Sequence, residues 1–175
     1  MRARRRLLVL LALVLGGCTA RYEVSNLSEP ASPKLDRGKV VYVAIPQDGA
    51  YGNRNYPGSG QMVAQSVAAA FSGLAKRVQV ADRPAQQPEQ AVEAAKSVGA
   101  DYVAVPVIVH WEHRNTAWSG IPSRMSIRLT LLDAATGKQI TSSAIEGRSR
   151  IMSWTATSPE SLLKEPVHEH VRGLY

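Results

Sequence analysis

Two short histidine motifs are the residues of this sequence best suited to metal chemistry. His110 and His113 flank a tryptophan and a glutamate in the run HWEH, and His168 and His170 lie two residues apart near the carboxyl terminus. Residues three apart on a strand point to opposite faces, so the first pair can share an ion only if a bulge intervenes. Residues two apart on a helix diverge by about 200°. The spacings therefore predict structural histidines and no metal site.

A polar loop over residues 47–60 is the better candidate for a binding site. It follows an apolar strand and leads into a helix, where ligands dock in open α/β sheets and where backbone N–H groups favour anions. Its glycines are not a phosphate loop, because no lysine follows them. The candidate partner-binding residues are Tyr51, Asn53, Arg54, Tyr56 and Ser59, with Trp118 from a second loop over residues 115–122. The alternative is a solvated loop whose glycines only turn the chain.

The amino-terminal segment predicts export. Four arginines within the first six residues precede an unbroken apolar run over residues 7–15, and two glycines then lead to Cys18. A charged start, a short apolar core and small residues before the cut describe a secretory signal peptide. The run is shorter than the about 20 residues that span a membrane. Leu-Gly-Gly-Cys resembles the lipobox of bacterial lipoproteins, which implies a lipid on the Cys18 sulfur; an ordinary signal peptide with a chance cysteine is the alternative.

The lipobox resemblance also implies a cellular location. Stable anchoring takes two or more acyl chains, and Thr19, rather than an aspartate, follows the cysteine. The resemblance then implies sorting to the outer membrane, with the protein on the periplasmic face. We expect a lipoprotein signal peptide over 1–17, a lipidated cysteine and flexible tether over 18–38, and a single periplasmic domain over 39–175.

Charge and motif content narrow the possible functions. Four of the 21 basic residues leave with the signal peptide, so the formal charge falls from +7 to +3, which is no nucleic-acid signature. The sequence has no Gly-x-Ser-x-Gly, no second cysteine and no nucleotide loop. We therefore expect a binding protein with an envelope protein partner, without catalytic residues or cofactor. The alternative is a small-molecule- or metal-binding periplasmic enzyme of a hydrolase-like kind.

Hydrophobic periodicity predicts an α/β (α+β) fold. Residues 39–45 are apolar on both faces, as in a buried central strand, and residues 59–74 carry one apolar helical stripe that begins at Ser59 as a plausible N-cap. Further elements are expected as a strand over 77–81, a helix over 88–99, a strand over 101–113, a hairpin over 123–153 and a last helix from 158. The order β-α-β-α-β-β-β-α favours a single mixed β-sheet with helices packed mainly on one face.

The strand over 101–113 and its neighbours carry two further patterns. Alternation places Val103, Val105, Val107, Val109 and Trp111 on one face without a break, and Pro106 argues against pairing on both sides. Arginines lie on neighbouring strands at Arg124, Arg128, Arg148 and Arg150. They form either a solvated sheet face or a basic stripe for an acidic partner or lipid headgroups.

Several short motifs along the chain resemble a group of periplasmic domains. They are Val40–Ile45, Val80-Ala81-Asp82, Gly99-Ala100-Asp101-Tyr102-Val103 and the hairpin from Leu132-Asp133 to Thr136-Gly137-Lys138. The group includes the TolB amino-terminal domain, the curli-secretion lipoproteins and the activator lipoproteins of penicillin-binding proteins. With Asp48-Gly49, Tyr56–Gly60 and the Leu174-Tyr175 ending, the chain is identified as a member of an uncharacterised family of proteobacterial lipoproteins. The resemblance implies an envelope protein that acts by binding others, and leaves monomer and ring open.

Overall fold

The computed structural model describes residues 20–28, 34–85, 87–114, 121–149 and 158–175. They form eight strands: β1 (Arg21–Asn26), β2 (Val40–Ile45), β3 (Ala50–Tyr51), β4 (Arg54–Asn55), β5 (Arg77–Pro84), β6 (Tyr102–Glu112), β7 (Arg124–Asp133) and β8 (Gln139–Arg148). They also form α1 (Ser59–Phe71), α2 (Pro88–Ser97), a 3-10 helix (Pro159–Leu162) and α3 (Lys164–Leu174). None of the helices in this described part is long and apolar enough to cross a membrane.

Six strands form one mixed sheet, and two form a separate hairpin. The sheet order is β1-β8-β7-β6-β2-β5, and β3 pairs with β4. β2 is parallel to its neighbours β5 and β6, whereas the other pairs are antiparallel. The predicted mixed sheet and the predicted succession of strands and helices are confirmed. The structure adds β1 and the β3–β4 hairpin to them.

Two crossovers explain why helices cover both faces. The chain runs from β2 through α1 to the edge strand β5, and returns through α2 to β6 on the other side of β2. Right-handed crossovers in opposite directions place their helices on opposite faces. The larger core packs α1, α3 and the 3-10 helix against the sheet, and a smaller one lies beneath α2. The predicted placement of the helices mainly on one face of the sheet therefore holds for α1 and α3, whereas α2 covers the other face. Every residue of β2 is buried, as predicted for a central strand.

The amino-terminal strand corrects the expected tether. We expected residues 18–38 to be flexible, but Arg21–Asn26 pairs along its whole length with β8. The ladder continues into the backbone bond from Leu27 N–H to the Ser142 carbonyl, 2.8 Å long, and Leu35 is buried in the larger core. An edge strand needs no apolar periodicity, because its side chains stay exposed while its backbone completes the sheet. The fold therefore begins before residue 39; residues 29–33 lie outside the described residues.

A bulge in β6 corrects the predicted faces of that strand. Ile108 pairs with Ile127 and His110 pairs with Ser126, so one extra residue sits between two neighbouring pairs. A bulge of this kind exchanges the faces of all later residues. Trp111 is consequently buried in the larger core rather than aligned with the valines. Val107 and Val109, which the predicted face would have shared with Trp111, are 47% and 58% exposed.

The position of Pro106 agrees with the sequence. It pairs with β7 on one side, whereas β2 reaches only residues 102–104 of β6 on the other. Beyond that point β6 has no strand beside it on the β2 side within the described residues, and the loop that follows β2 packs against this part of β6 instead.

Candidate functional site

The loop between β2 and α1, residues 46–58, is held by its own acidic residue. Asp48 Oδ1 accepts a hydrogen bond from Gly60 N–H at 2.8 Å, and Oδ2 accepts one from Gly58 N–H at 3.1 Å. Gly49 N–H donates to Ser59 Oγ at 2.8 Å. A carboxylate thus fills the amino terminus of α1, where the helix dipole favours negative charge. The anion-binding role expected of this helix start is already taken by the chain itself.

Ser59 has a different role from the one predicted. The N-cap position is Gly58, whose φ is 85°, and a glycine has no side chain that could cap the helix. Ser59 is fully buried and accepts a hydrogen bond from the loop backbone. A buried hydroxyl cannot touch a partner, so Ser59 positions the loop and is not a contact residue.

Two glycines allow the loop to pack in close contact with the rest of the molecule. A Cβ at Gly60 would clash with the Pro46 carbonyl oxygen, and one at Gly49 would lie 2.6 Å from Trp111 Cβ. Neither space admits a side chain, because a carbon atom needs about 3.5 Å to its neighbour. The loop therefore follows a single path over the bulged part of β6.

A buried carboxylate ties the loop tip to β6. The Glu112 side chain is 6% exposed and lies 3.2 Å from His110 Nε2, and Arg114 forms a salt bridge with it. Tyr51 completes this Glu112 cluster: its ring centroid is 5.0 Å from that of His110, and the Arg114 guanidinium lies 5.7 Å above it. Burial raises the pKa of Glu112, but hydrogen bonds from His110 and Arg114 outweigh it, so the net pKa is lowered. The carboxylate stays charged and holds the side chains of His110 and Arg114 in place.

The histidines do not converge on one ion. His110 contacts Glu112, whereas the His113 N–H donates to Tyr56 Oη at 3.3 Å. His170 is half-buried, its Nε2 has no hydrogen-bond partner among the described residues, and burial lowers its pKa. Among the described residues, no group of three or more histidine, cysteine, aspartate or glutamate side chains has metal-binding geometry.

The candidate contact residues differ in exposure. Tyr51 is 42% exposed, Asn53 and Arg54 are exposed, and Tyr56 is half-buried against the core. Trp118 and most of the second loop lie outside the described residues, as do Cys18 and the signal segment. The exposed tip of the first loop thus presents one aromatic, one amide and one basic side chain from a fixed backbone.

One row of residues crosses the sheet at the end where this loop lies. Arg21 is opposite Arg148, Arg148 is opposite Arg124, and Arg124 is opposite Glu112. We call Arg21, Arg124 and Arg148 the arginine row and this end of the sheet the loop end. The loop tip and the amino terminus of β1 therefore lie at the same end.

A second concave region lies on the α2 side. An open cleft of about 740 Å³ is lined by Tyr42, Asp82, Arg83 and Gln90 among small apolar residues. Burial raises the pKa of Tyr42. The cleft is large enough for a small molecule, and no sequence pattern indicates it.

The sequence contained signals for the residues that were missed. Asp48-Gly49 and Gly58-Ser59-Gly60 are ten residues apart, and this spacing is that of a loop closed by its own carboxylate. Glu112 and Arg114 stand two apart at the end of a strand, and therefore share a face. Arg21 had no signal, because its neighbours become known only from the strand order.

Comparisons with known proteins agree with this fold. A family model described as a domain of unknown function (DUF4823) matches residues 33–174. The chain is similar to a PelC dodecamer from Paraburkholderia phytofirmans, with a TM-score of 0.64 and 20% identity over 89% of this chain and 97% of that chain. It matches lipoprotein GNA1162 from Neisseria meningitidis with a TM-score of 0.47 and 18% identity, over 78% and 97%. No curated protein matches it. The PelC likeness shows the fold alone.

Proposed function

The chain belongs to the family of the domain of unknown function DUF4823, and from that premise we propose an anchored binding protein of the cell envelope. In this proposal Cys18 carries the lipid, the outer membrane holds the protein on its periplasmic face, and the domain serves an envelope protein complex as a non-catalytic accessory factor. The charged start, the short apolar run and Leu-Gly-Gly-Cys support the anchor.

One observation carries the binding role: hydrogen bonds and close backbone contacts hold the loop over residues 46–58 while its tip is exposed. Asp48, Gly49 and Gly60 fix the backbone, and the Glu112 cluster holds Tyr51 in place. A fixed loop loses little conformational entropy on binding, and exposed tyrosine and arginine are frequent hot spots. The polar groups around the tip are occupied with this positioning, which favours recognition over chemistry.

The position of the tip also limits where the partner lies. Only two residues separate Cys18 from Arg21, so β1 begins within about 10 Å of the proposed anchor. The loop tip is at the same end of the sheet as Arg21. The partner we propose therefore meets the protein next to the membrane surface.

The open cleft beside Tyr42 favours the alternative function, a small-molecule- or metal-binding periplasmic enzyme. Its lining includes a carboxylate, a guanidinium and a phenol around a volume large enough for a ligand. Metal and nucleotide content of the purified protein separates the two functions, because stoichiometric content would favour the enzyme.

Partner capture tests the binding role. The full-length protein is crosslinked in membranes of its own cell, and the captured proteins are compared with those of the triple variant Tyr51→Ala, Asn53→Ala, Arg54→Ala. We expect capture to fall by about thirtyfold, since a hot spot contributes about 2 kcal/mol. The control is Lys76→Ala with Lys138→Ala, two exposed residues at the opposite end of the sheet. An unchanged set of captured proteins in the triple variant contradicts the loop as the contact site.

Fractionation tests the anchor. Cys18→Ser should move the protein to the soluble periplasmic fraction or leave its signal peptide uncleaved. A processed variant that stays in the membrane contradicts the lipid anchor. Because PelC forms a dodecamer, the same preparation should be examined for capture of an untagged copy by a tagged one.

A further inference from the structure

The arginine row is a cationic surface that the register of the sheet assembles. Directly opposite residues of antiparallel strands share a face, and neighbouring strands lie about 4.8 Å apart, so Arg21, Arg148 and Arg124 stand side by side across about 10 Å. All three side chains are exposed. Three positive charges therefore meet at one end of one face, although the first and the last of them are 127 positions apart in sequence.

The charges of this row lack ion-pair partners in the part of the chain that the structure describes. None of the three arginines forms a salt bridge with another residue that the structure describes. Glu112 is the next residue in the row, but His110 and Arg114 occupy its carboxylate. Like charges directly opposite one another destabilise a sheet. An external anion bound across the row would relieve this repulsion.

The proposed anchor determines which anion is nearest. Cys18 lies three positions before Arg21, which is at most about 10 Å of extended chain. The headgroup layer on each side of a bilayer is about 5–8 Å thick. The acidic residues of the same face, Glu23 and Glu146, belong to the next row, about 7 Å farther from the anchor. The arginines are thus the side chains of this face that reach the headgroups first.

We infer that the arginine row binds the phosphate groups of anionic phospholipids and seats the loop end of the sheet on the membrane. This inference rests on the proposed anchor at Cys18. The guanidinium group binds phosphate through two parallel hydrogen bonds, which fixes orientation as well as position. A basic residue near an anionic membrane surface contributes about fivefold to binding, so three contribute about a hundredfold. The seated domain holds its loop tip at the height of a partner embedded in or lying on the same membrane.

Hydrogen exchange on reconstituted protein tests this inference. The full-length acylated protein is placed in vesicles of phosphatidylcholine, with or without phosphatidylglycerol, and exchange is measured over residues 20–28. We expect phosphatidylglycerol to slow this exchange at least fivefold. The variant Arg21→Gln, Arg124→Gln, Arg148→Gln should show no such difference. The matched variant Lys76→Gln, Lys138→Gln, Lys164→Gln also removes three exposed charges and should behave as wild type.

Three results would overturn the inference: equal exchange in both vesicles, a difference that survives in the arginine variant, or the same slowing by inorganic phosphate in phosphatidylcholine vesicles at matched ionic strength. Failure of the anchor is recognised separately, from an intact mass without acyl chains and a protein that does not float with phosphatidylcholine vesicles. Flotation of that unacylated protein with phosphatidylglycerol vesicles then tests the row alone. The arginine variant should abolish this flotation, and flotation that persists in the variant contradicts the row.

Discussion

At one end of the sheet the carboxylates of Asp101 and Asp133 are bonded within the fold, whereas at the loop end three arginines face solvent. We call the former, which holds Asp101 and the turn after β7, the turn end. Asp101 accepts hydrogen bonds from Val40 N–H and Lys39 Nζ, both at 2.9 Å, and Asp133 accepts two from Thr136, both at 2.8 Å. The turn end uses its polar groups to close the structure. The loop end uses some of them to fix a loop and leaves the others available for binding.

The largest effect on stability is expected at Gly60, where the loop end has no space for a side chain. Gly60→Ala places a Cβ against the Pro46 carbonyl oxygen and should lower the free energy of unfolding by about 3 kcal/mol, as overpacking does. Denaturant unfolding measures this change. Gly173→Ala is the control, because its Cβ meets no atom within 4 Å in α3; it should leave stability unchanged or raise it by up to about 1 kcal/mol. Equal stability of the two variants would show that the loop is free to move.

A smaller effect is expected from the carboxylate that closes the loop. Asp48→Ala removes the acceptor for Gly58 and Gly60 N–H and should cost about 1–2 kcal/mol of stability, in the range of lost helix caps. Asp48→Asn keeps an acceptor oxygen and should lose less. Thermal unfolding of both variants gives the order. If both unfold like wild type, the carboxylate does not hold the loop.

The turn end should respond more weakly. Asp101→Ala removes an exposed ion pair with Lys39 and one hydrogen bond to the backbone of β2, which together are worth about 1 kcal/mol. Lys39→Met breaks the ion pair and keeps the backbone bond, so it should cost less stability than Asp101→Ala. The same denaturant titration measures both. A larger loss of stability in Lys39→Met than in Asp101→Ala would mean that the ion pair, and not the backbone bond, closes this end.

Acid titration is the most subtle of these tests. The hydrogen bond from Val40 N–H, and then that from Lys39, lowers the pKa of Asp101; the Thr136 hydroxyl and then its N–H lower the pKa of Asp133. Carboxyls with a lowered pKa in the folded state stabilise it above their ordinary pKa of about 4, and this contribution is lost as the pH falls through the lowered value. Asp101→Asn with Asp133→Asn should therefore flatten the loss of stability below about pH 4. A double variant that keeps the full loss of stability in acid would contradict this role of Asp101 and Asp133.

The elements that the sequence predicted well are those whose burial follows a simple period. β2 is apolar at every position and is buried on both faces, and the β7–β8 hairpin alternates as its one covered face requires. β1 was missed because RYEVSN is a polar edge strand that gains its place through backbone pairing. The bulge before His110 was missed because alternation cannot reveal one inserted residue.

The candidate site was predictable only in part. The loop and its exposed Tyr51 and Arg54 follow from composition, since glycine, aromatic and basic residues concentrate where loops leave a sheet. The roles of Asp48 and Glu112 depend on neighbours that the fold brings close. The sequence places Arg124 and Arg148 on neighbouring strands, but Arg21 joins them only through the pairing of β1 with β8, which no pattern within β1 indicates.

The pairing of β1 with β8 also sets an order of events in folding. Ser28 and Ser142, which are 114 residues apart, are joined by a hydrogen bond of 2.6 Å next to this pairing. Synthesis runs from the amino terminus, so β1 has no partner until β8, the last strand of the sheet, has been made. Closing so long a loop is slow, and the outer edge of β8 stays open meanwhile. A factor that binds unpaired strands of a newly made chain would therefore bind at this edge of β8.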